Sequence, residues 1–236
     1  MRNYLIYNGK STKDFGVYIS GLNTYGSPER DVEKMAIAGR NGELTIDNGR
    51  FKNVTYSYPA FIYDRFESNV EGFRNYMLNQ VGYKRLEDTY HPDEYRMAMV
   101  KGAITPKVED NLSAGQFDIT FDCKPQRFLK SGEIPIEITS GTYLNNPTLN
   151  ASKPHLRVYG YGVIHIGDYN ITITAHDKAY VDIDCEMMDA YYEATNMNSY
   201  VAVGSNGFPV IESGKQGITM DNTITKIIVY PKWFIL

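Results

Sequence analysis

With 236 residues, 42% of them hydrophobic and 22% charged, the chain has the make-up of a soluble globular protein with room for two modest cores, and compositional disorder is excluded. The formal net charge of −4 is unevenly spread, with 18 Lys and Arg against 17 Asp and Glu in residues 1–130 and 6 against 11 in residues 131–236. No basic stretch is interleaved with aromatics, which leaves nucleic-acid recognition nothing to rest on, and no apolar run reaches the length of a bilayer span or a secretory core segment.

Most of the chain reads in period two, β-branched and aromatic residues alternating with polar ones between Gly, Asn, Asp and Pro. The stretch MAIAGRNGELTIDNGRF, residues 35–51, holds three glycines but lacks the Gly-Lys-Ser/Thr of a phosphate loop. It predicts two tight turns instead. A two-residue turn at Asn41-Gly42 sets Arg40 opposite Glu43, Gly39 opposite Leu44 and Ile37 opposite Ile46. A second turn at Asn48-Gly49 sets Asp47 opposite Arg50 and Ile46 opposite Phe51, completing a three-stranded meander with an opposite-charge pair beside each tip.

The segment ESNVEGFRNYMLNQVG breaks the period of two: Val70, Phe73 and Met77 recur at helical spacing. Ser68 and Glu71 form a capping-box pattern and Gly82 supplies a stop, which predicts a helix over 69–81. YKRLEDTYHPDEYRMAMV then reads as a hairpin about a His-Pro-Asp turn. In the following run Phe117, Ile119, Phe121 and Cys123 alternate with Asp118, Thr120 and Asp122, a half-buried strand expected to end at Lys124-Pro125 because proline cannot donate to a ladder. The polar LKSGEIP places a domain boundary after Glu133. Beyond Pro154, seven short strand candidates (HLRVYG, GVIHIG, YNITIT, AYVDID, YVAVG, GITM and TITKIIVY) fall within about a hundred residues, the signature of an antiparallel sandwich. CEMMDAYYEAT reads either as one helical turn or as a strand with a loop.

Chemistry-bearing constellations are sparse. Cys123 and Cys185 stand alone with no CxxC spacing, so they read as buried free thiols. His91, His155, His165 and His176 lack any HExxH-like spacing, and no GxSxG elbow is present. Asp182 and Asp184 share one strand face opposite Val181, Ile183 and Cys185, which reads as a solvated sheet face rather than a carboxylate pair. No catalytic, cofactor-binding or metal-ligating residue is assigned, and an enzyme is not expected. The twenty tyrosines suit half-buried strands, and Tyr159, Tyr161 and Tyr169 leave open a carbohydrate-binding module that recognises host cell-wall sugar.

Taken in order and spacing, these pieces resemble the distal tail proteins of siphophages and prophages of Gram-positive bacteria. KDFGVYISG followed by PERDVEKMAIAGRNGELTIDNGRFKNVTYSYPAFI is similar to that family's leading block, and YKRLEDTYHPDEYRMAMV to its Arg-Leu, Asp-x-Tyr-Arg hairpin. FDCKPQRFLKSGE resembles the strand that closes its first domain, and NGFPVIESGKQGITM and YPKWFIL resemble its closing motifs. Lys215-Gln216-Gly217 replaces the usual Gly-Asn, and Lys232 stands where arginine is common.

The resemblance implies a mainly β protein: a tail-tube-like β domain with one packed helix over residues 1–133 and a galectin-like β-sandwich over 134–236. It implies a structural protein of the virion, made in the host cytoplasm without cofactor or membrane anchor. Six copies would form a homo-hexameric hub joining the tail-tube protein to the tail-tip or baseplate proteins. DNA would pass through the ring without specific binding. Ring closure needs a heterologous interface, and strand edges offer unpaired N–H and C=O groups for one. The tip residues Gly39, Arg40, Asn41, Gly42 and Glu43 are the expected subunit contact.

Overall fold

The computed structural model describes residues 2–21, 26–108 and 114–236. It divides into two compact units, Met1–Arg127 with Leu236, and Phe128–Ile235. The 3-10 turn Lys130–Glu133, in the polar stretch where sequence places a boundary, therefore lies inside the second unit.

In the first unit a curled sheet runs in the order Lys10–Ser11, Leu5–Tyr7, Lys84–Asp88, Glu94–Val100, Gly115–Leu129, Val54–Ile62, Val17–Ile19. A bridge from Asn3 to Ile19, with the Ile19 N–H donating to the Asn3 carbonyl at 2.9 Å, brings the far edge back toward the start and leaves little edge exposed there. Period-two alternation supplies the inner face. Tyr56, Tyr58, Ala60 and Ile62 are buried opposite Phe121, Ile119, Phe117 and Gly115, in that register. The strand does not stop at Lys124-Pro125. The ladder with Val54–Ile62 ends at Cys123, so Pro125 sits where that side demands no donor, and the strand continues to Leu129.

The helix spans Phe66–Leu78 and buries Phe66, Phe73 and Met77 against this sheet, so its apolar stripe is the predicted one extended a turn toward the N-terminus. Ser68 does not cap it. Arg65 holds the N-cap position in a left-handed conformation, and the Ser68 hydroxyl donates to the Arg65 carbonyl at 3.2 Å. Phe66 decides the start: its ring fills the space above Gly115, where an added Cβ would lie 2.2 Å from Phe66 Cε2. Asn79 ends the helix before Gly82 is reached.

An Asn-Gly two-residue turn does occur, but at Asn8-Gly9. Tyr7 pairs with Lys10 across it, and both turn residues have positive φ. The predicted hairpin about His91 forms as Lys84–Asp88 with Glu94–Val100, its turn held by the Asp88 carboxylate accepting from the His91 N–H at 2.8 Å.

In the second unit two antiparallel sheets share one core, which makes it a sandwich. Six strands run Ile136–Ile138, Ile224–Tyr230, His155–Gly160, Val181–Asp184, Asp189–Tyr192, Thr195–Asn196. Five run Thr142–Asn146, Gly214–Met220, Gly162–Ile166, Tyr169–Ile173, Val201–Val203. Leu156, Val158, Ile183 and Val229 from the first sheet meet Ile164, Ile166, Ile171 and Ile218 from the second. Every strand candidate read beyond Pro154 is present, and CEMMDAYYEAT resolves as a tight turn leading into a strand. Trp233 is buried in this core, its carbonyl accepting from the Leu129 N–H at 2.8 Å.

Candidate assembly surface

Gly39, Arg40, Asn41, Gly42 and Glu43 lie together at the end of a hairpin in the first unit that forms a sheet of its own. Strands Arg30–Ala36 and Glu43–Phe51 pair antiparallel, with Ala36 opposite Glu43, Met35 opposite Leu44 and Glu33 opposite Ile46. The expected meander is thus replaced by a two-stranded hairpin. Residues 37–42 form the connection, in which the Arg40 N–H donates to the Ile37 carbonyl at 3.1 Å and Gly39 and Gly42 have φ of 76° and 84°. The expected pairs Arg40–Glu43, Gly39–Leu44 and Ile37–Ile46 do not form.

Nor does Asn48-Gly49 turn the chain. It lies within Glu43–Phe51, where the register shifts opposite Arg30 and Val32 and Gly49 takes φ of 68°, the geometry of a bulge. A turn there would leave only a stub of strand after it. Continuing to pair with Arg30–Ala36 keeps the ladder, and the bulge absorbs the surplus residues. Asp47 fixes the bulge: Oδ1 accepts from the Gly49 N–H at 2.8 Å and Oδ2 from Arg30 at 2.8 Å. The Gly49 N–H and then Arg30 hold its carboxyl below the usual range. Arg50 reaches Asp31 at 2.7 Å rather than Asp47, and the Arg30 guanidinium lies 4.8 Å from the centre of the Phe51 ring.

All these ties are near the base. From residue 33 to residue 50 every residue is exposed, and none of them belongs to the buried core of the first unit. Directly opposed residues share a face. One face carries Met35, Leu44 and Ile46, which are 55%, 46% and 43% exposed, with Glu33 opposite Ile46, and the other carries Lys34, Thr45 and Asp47 with Val32, Ala36 and Glu43. The apolar alternation was legible in the sequence as one side of a meander. That it stays largely exposed among the described residues was not, since a pattern of two marks a face and not its neighbour.

In the second unit, titratable side chains gather about Asp182. Asp182, read as solvated, is 3% exposed, and Arg157 across the strand pair grips it with Nε at 2.8 Å from Oδ1 and Nη2 at 2.9 Å from Oδ2. His155 Nε2 is 3.4 Å from the same carboxylate, and the Arg157 guanidinium stacks 4.2 Å from the Tyr180 ring centre. The hydrogen bonds to Asp182 hold the Arg157 pKa above its ordinary value, whereas burial pulls the His155 imidazole down against the opposing pull of Asp182. A carboxylate occupied by a bidentate arginine is a structural anion rather than a free base. Burial pushes the Cys185 and Cys123 thiols up to about 12, which makes both poor nucleophiles. Among the described residues no group of His, Cys, Asp and Glu is disposed to hold a metal ion.

The three tyrosines considered for sugar stacking do not share a platform. Tyr159 belongs to the six-stranded sheet and packs against Tyr180 at 5.7 Å, Tyr169 to the five-stranded sheet, and Tyr161 to the link between strands.

No protein-family model and no curated protein matches the chain. Solved structures do. The fold is similar to the Dit (gp 19.1) protein of SPP1, described as a paradigm of the hub adsorption apparatus in phages infecting Gram-positive bacteria, with a TM-score of 0.74 and 11% identity over 100% of both chains. It is also similar to chains of the phage P2 baseplate in its activated conformation, with Ca at a TM-score of 0.55 and 11% identity, and with Sr at 0.54 and 12%, each over 97% of both chains. The chain therefore has the mainly β fold of phage hub and baseplate proteins.

Proposed function

We propose that this chain is a structural hub protein of a phage tail, six copies of which close into a ring. The ring joins the tail tube to the tip or baseplate and encloses the path of the DNA. The observation that carries the reading is the likeness to a hub protein over the full length of both chains. A hub of this kind works by geometry rather than by chemistry.

The hairpin is the contact that fits. Among the described residues it presents two strand edges with no further ladder partner and a face of Met35, Leu44 and Ile46 beside Glu33, and a two-stranded hairpin is at best marginally stable in water unless something covers it. A neighbouring copy is the cover a ring provides, through a heterologous interface that closes on itself. Gly39, Arg40, Asn41, Gly42 and Glu43 then enter the contact as its leading end.

Negative-stain microscopy of the purified protein, alone and mixed with its tube and baseplate neighbours, tests the class; sixfold rings with an open centre are the expected result. Chains that stay monomeric even with those neighbours present overturn it. Replacing Arg40 and Glu43 together by alanine tests the tip. Light scattering should show less hexamer, and an unchanged hexamer content removes these residues from the contact.

A further inference from the structure

We propose that Asn41 is a site of spontaneous deamidation selected by the fold. The chain contains four Asn-Gly pairs, at residues 8–9, 41–42, 48–49 and 206–207. Each has the chemistry for the reaction, because a glycine lacks the Cβ that would block its own nitrogen from approaching the asparagine side chain. The Gly nitrogen, after losing its proton to solvent base, attacks Asn Cγ. The C–N bond to the side-chain nitrogen breaks, ammonia leaves with a proton from water, and a five-membered succinimide remains. Water then adds to either ring carbonyl and opens it to aspartate or to isoaspartate. Water enters, ammonia leaves, and nothing is oxidised.

Three of the four pairs are held out of that geometry. The Asn8 side-chain amide donates to Gln80 Oε1 at 2.8 Å and its main-chain N–H to the Arg85 carbonyl at 2.8 Å, which fixes both ends of the residue in its turn. At 48–49 the attacking N–H is bonded to Asp47 Oδ1 at 2.8 Å inside a paired strand. At 206–207 both partners are tied, Asn206 to the Asp168 carbonyl at 2.9 Å and the Gly207 N–H to the Gly204 carbonyl at 3.0 Å. Asn41 and Gly42 differ. Both are exposed in the 37–42 connection, and among the described residues neither the Asn41 amide nor the Gly42 N–H has a hydrogen-bond partner. Conversion would set a new carboxylate beside Glu43, and isoaspartate would add a main-chain methylene at the hairpin's end. The proposed ring contact would cover this end of the hairpin, so the reaction belongs to the unassembled chain, and it does not depend on that contact.

The test is peptide mapping by mass spectrometry of the full chain held at mildly alkaline pH, folded and in parallel in denaturant. In the folded protein Asn41 should convert about fivefold to tenfold faster than Asn8, Asn48 or Asn206, the factor that one net backbone hydrogen bond contributes. In denaturant the four should convert at matching rates. Another pair converting first in the folded protein overturns the proposal, as does a preference for Asn41 that survives unfolding, which would be an effect of local sequence. Asn41→Gln should remove the fast conversion from the peptide that spans residues 41–50, leaving only the slower change at Asn48, and persistence of the fast change assigns it elsewhere.

Discussion

Asp182 shows how far a single residue's surroundings depart from what its neighbours in sequence imply. Alternation with Val181 and Ile183 marks it as facing away from the core, and it does, yet Arg157 and His155 on the paired strand close over it. The partner is set by register, which no local pattern records. The fork has a measurable consequence. Arg157→Ala leaves a buried carboxylate without its cation and should cost about 3 kcal/mol, the low end for a broken buried pair because the Arg157 side chain is itself 31% exposed. Urea denaturation reads this directly, and a loss near zero would mean that water reaches Asp182 freely. His155 supplies a pH dependence. Burial lowers its folded pKa, so the unfolded chain takes up the proton first; its contribution to stability is complete above about pH 6.5 and falls as pH drops below that value. His155→Gln should flatten the slope of stability against pH in that acid window, whereas an unaltered slope assigns the dependence to other groups.

At the scale of elements, long periodic signals were legible, and connections only in part: the turn at His91 formed as expected, the two in residues 37–49 did not. Phe73 and Met77 identify the helix because their spacing puts them on one face, and both are fully buried. Its start was misplaced because the capping box at Ser68 competes with burial of Phe66 over Gly115, a contact between segments far apart in sequence. The weaker force lost: one cap contributes about 1 kcal/mol, and a buried phenylalanine about 1.5–3 kcal/mol. Phe73→Ala should therefore cost about 3–5 kcal/mol, with the loss seen as a lower unfolding midpoint of the first unit. Ser68→Ala should leave that midpoint nearly unmoved, and a large effect from it would restore the capping box. The Asn-Gly pairs carry the same lesson. One makes a two-residue turn at residues 8–9, a place for which none was expected, where Leu5–Tyr7 and Lys10–Ser11 are short and adjacent. Another becomes a bulge at 48–49, because Arg30–Ala36 offers a longer ladder.

For the whole molecule, the order of motifs implies the mainly β fold of a hub protein, and the full-length likeness to such a fold agrees with that. The hairpin was legible only in part, since an apolar face looks the same in sequence whether its own domain or another chain covers it. That ambiguity sets up the sharpest test of the ring. Exposed side chains outside the buried core of their own unit can be changed with little effect on its folding, commonly within about 0.5 kcal/mol. Met35→Asp combined with Leu44→Asp puts two carboxylates directly opposite each other on the apolar face. Repulsion across the pair weakens the hairpin locally, while the curled sheet with its helix, which buries none of these residues, keeps its unfolding temperature. A neighbouring copy would instead have to desolvate both charges, a cost large enough to prevent docking. The expected outcome is a folded protein with an almost unchanged thermal transition that no longer forms rings by light scattering and microscopy. Met35→Ser with Leu44→Thr, which removes the apolar face without adding charge, should lie between the two. If the carboxylate variant unfolds, the face belongs to the protein's own stability, and if it assembles normally, the ring closes through some other surface.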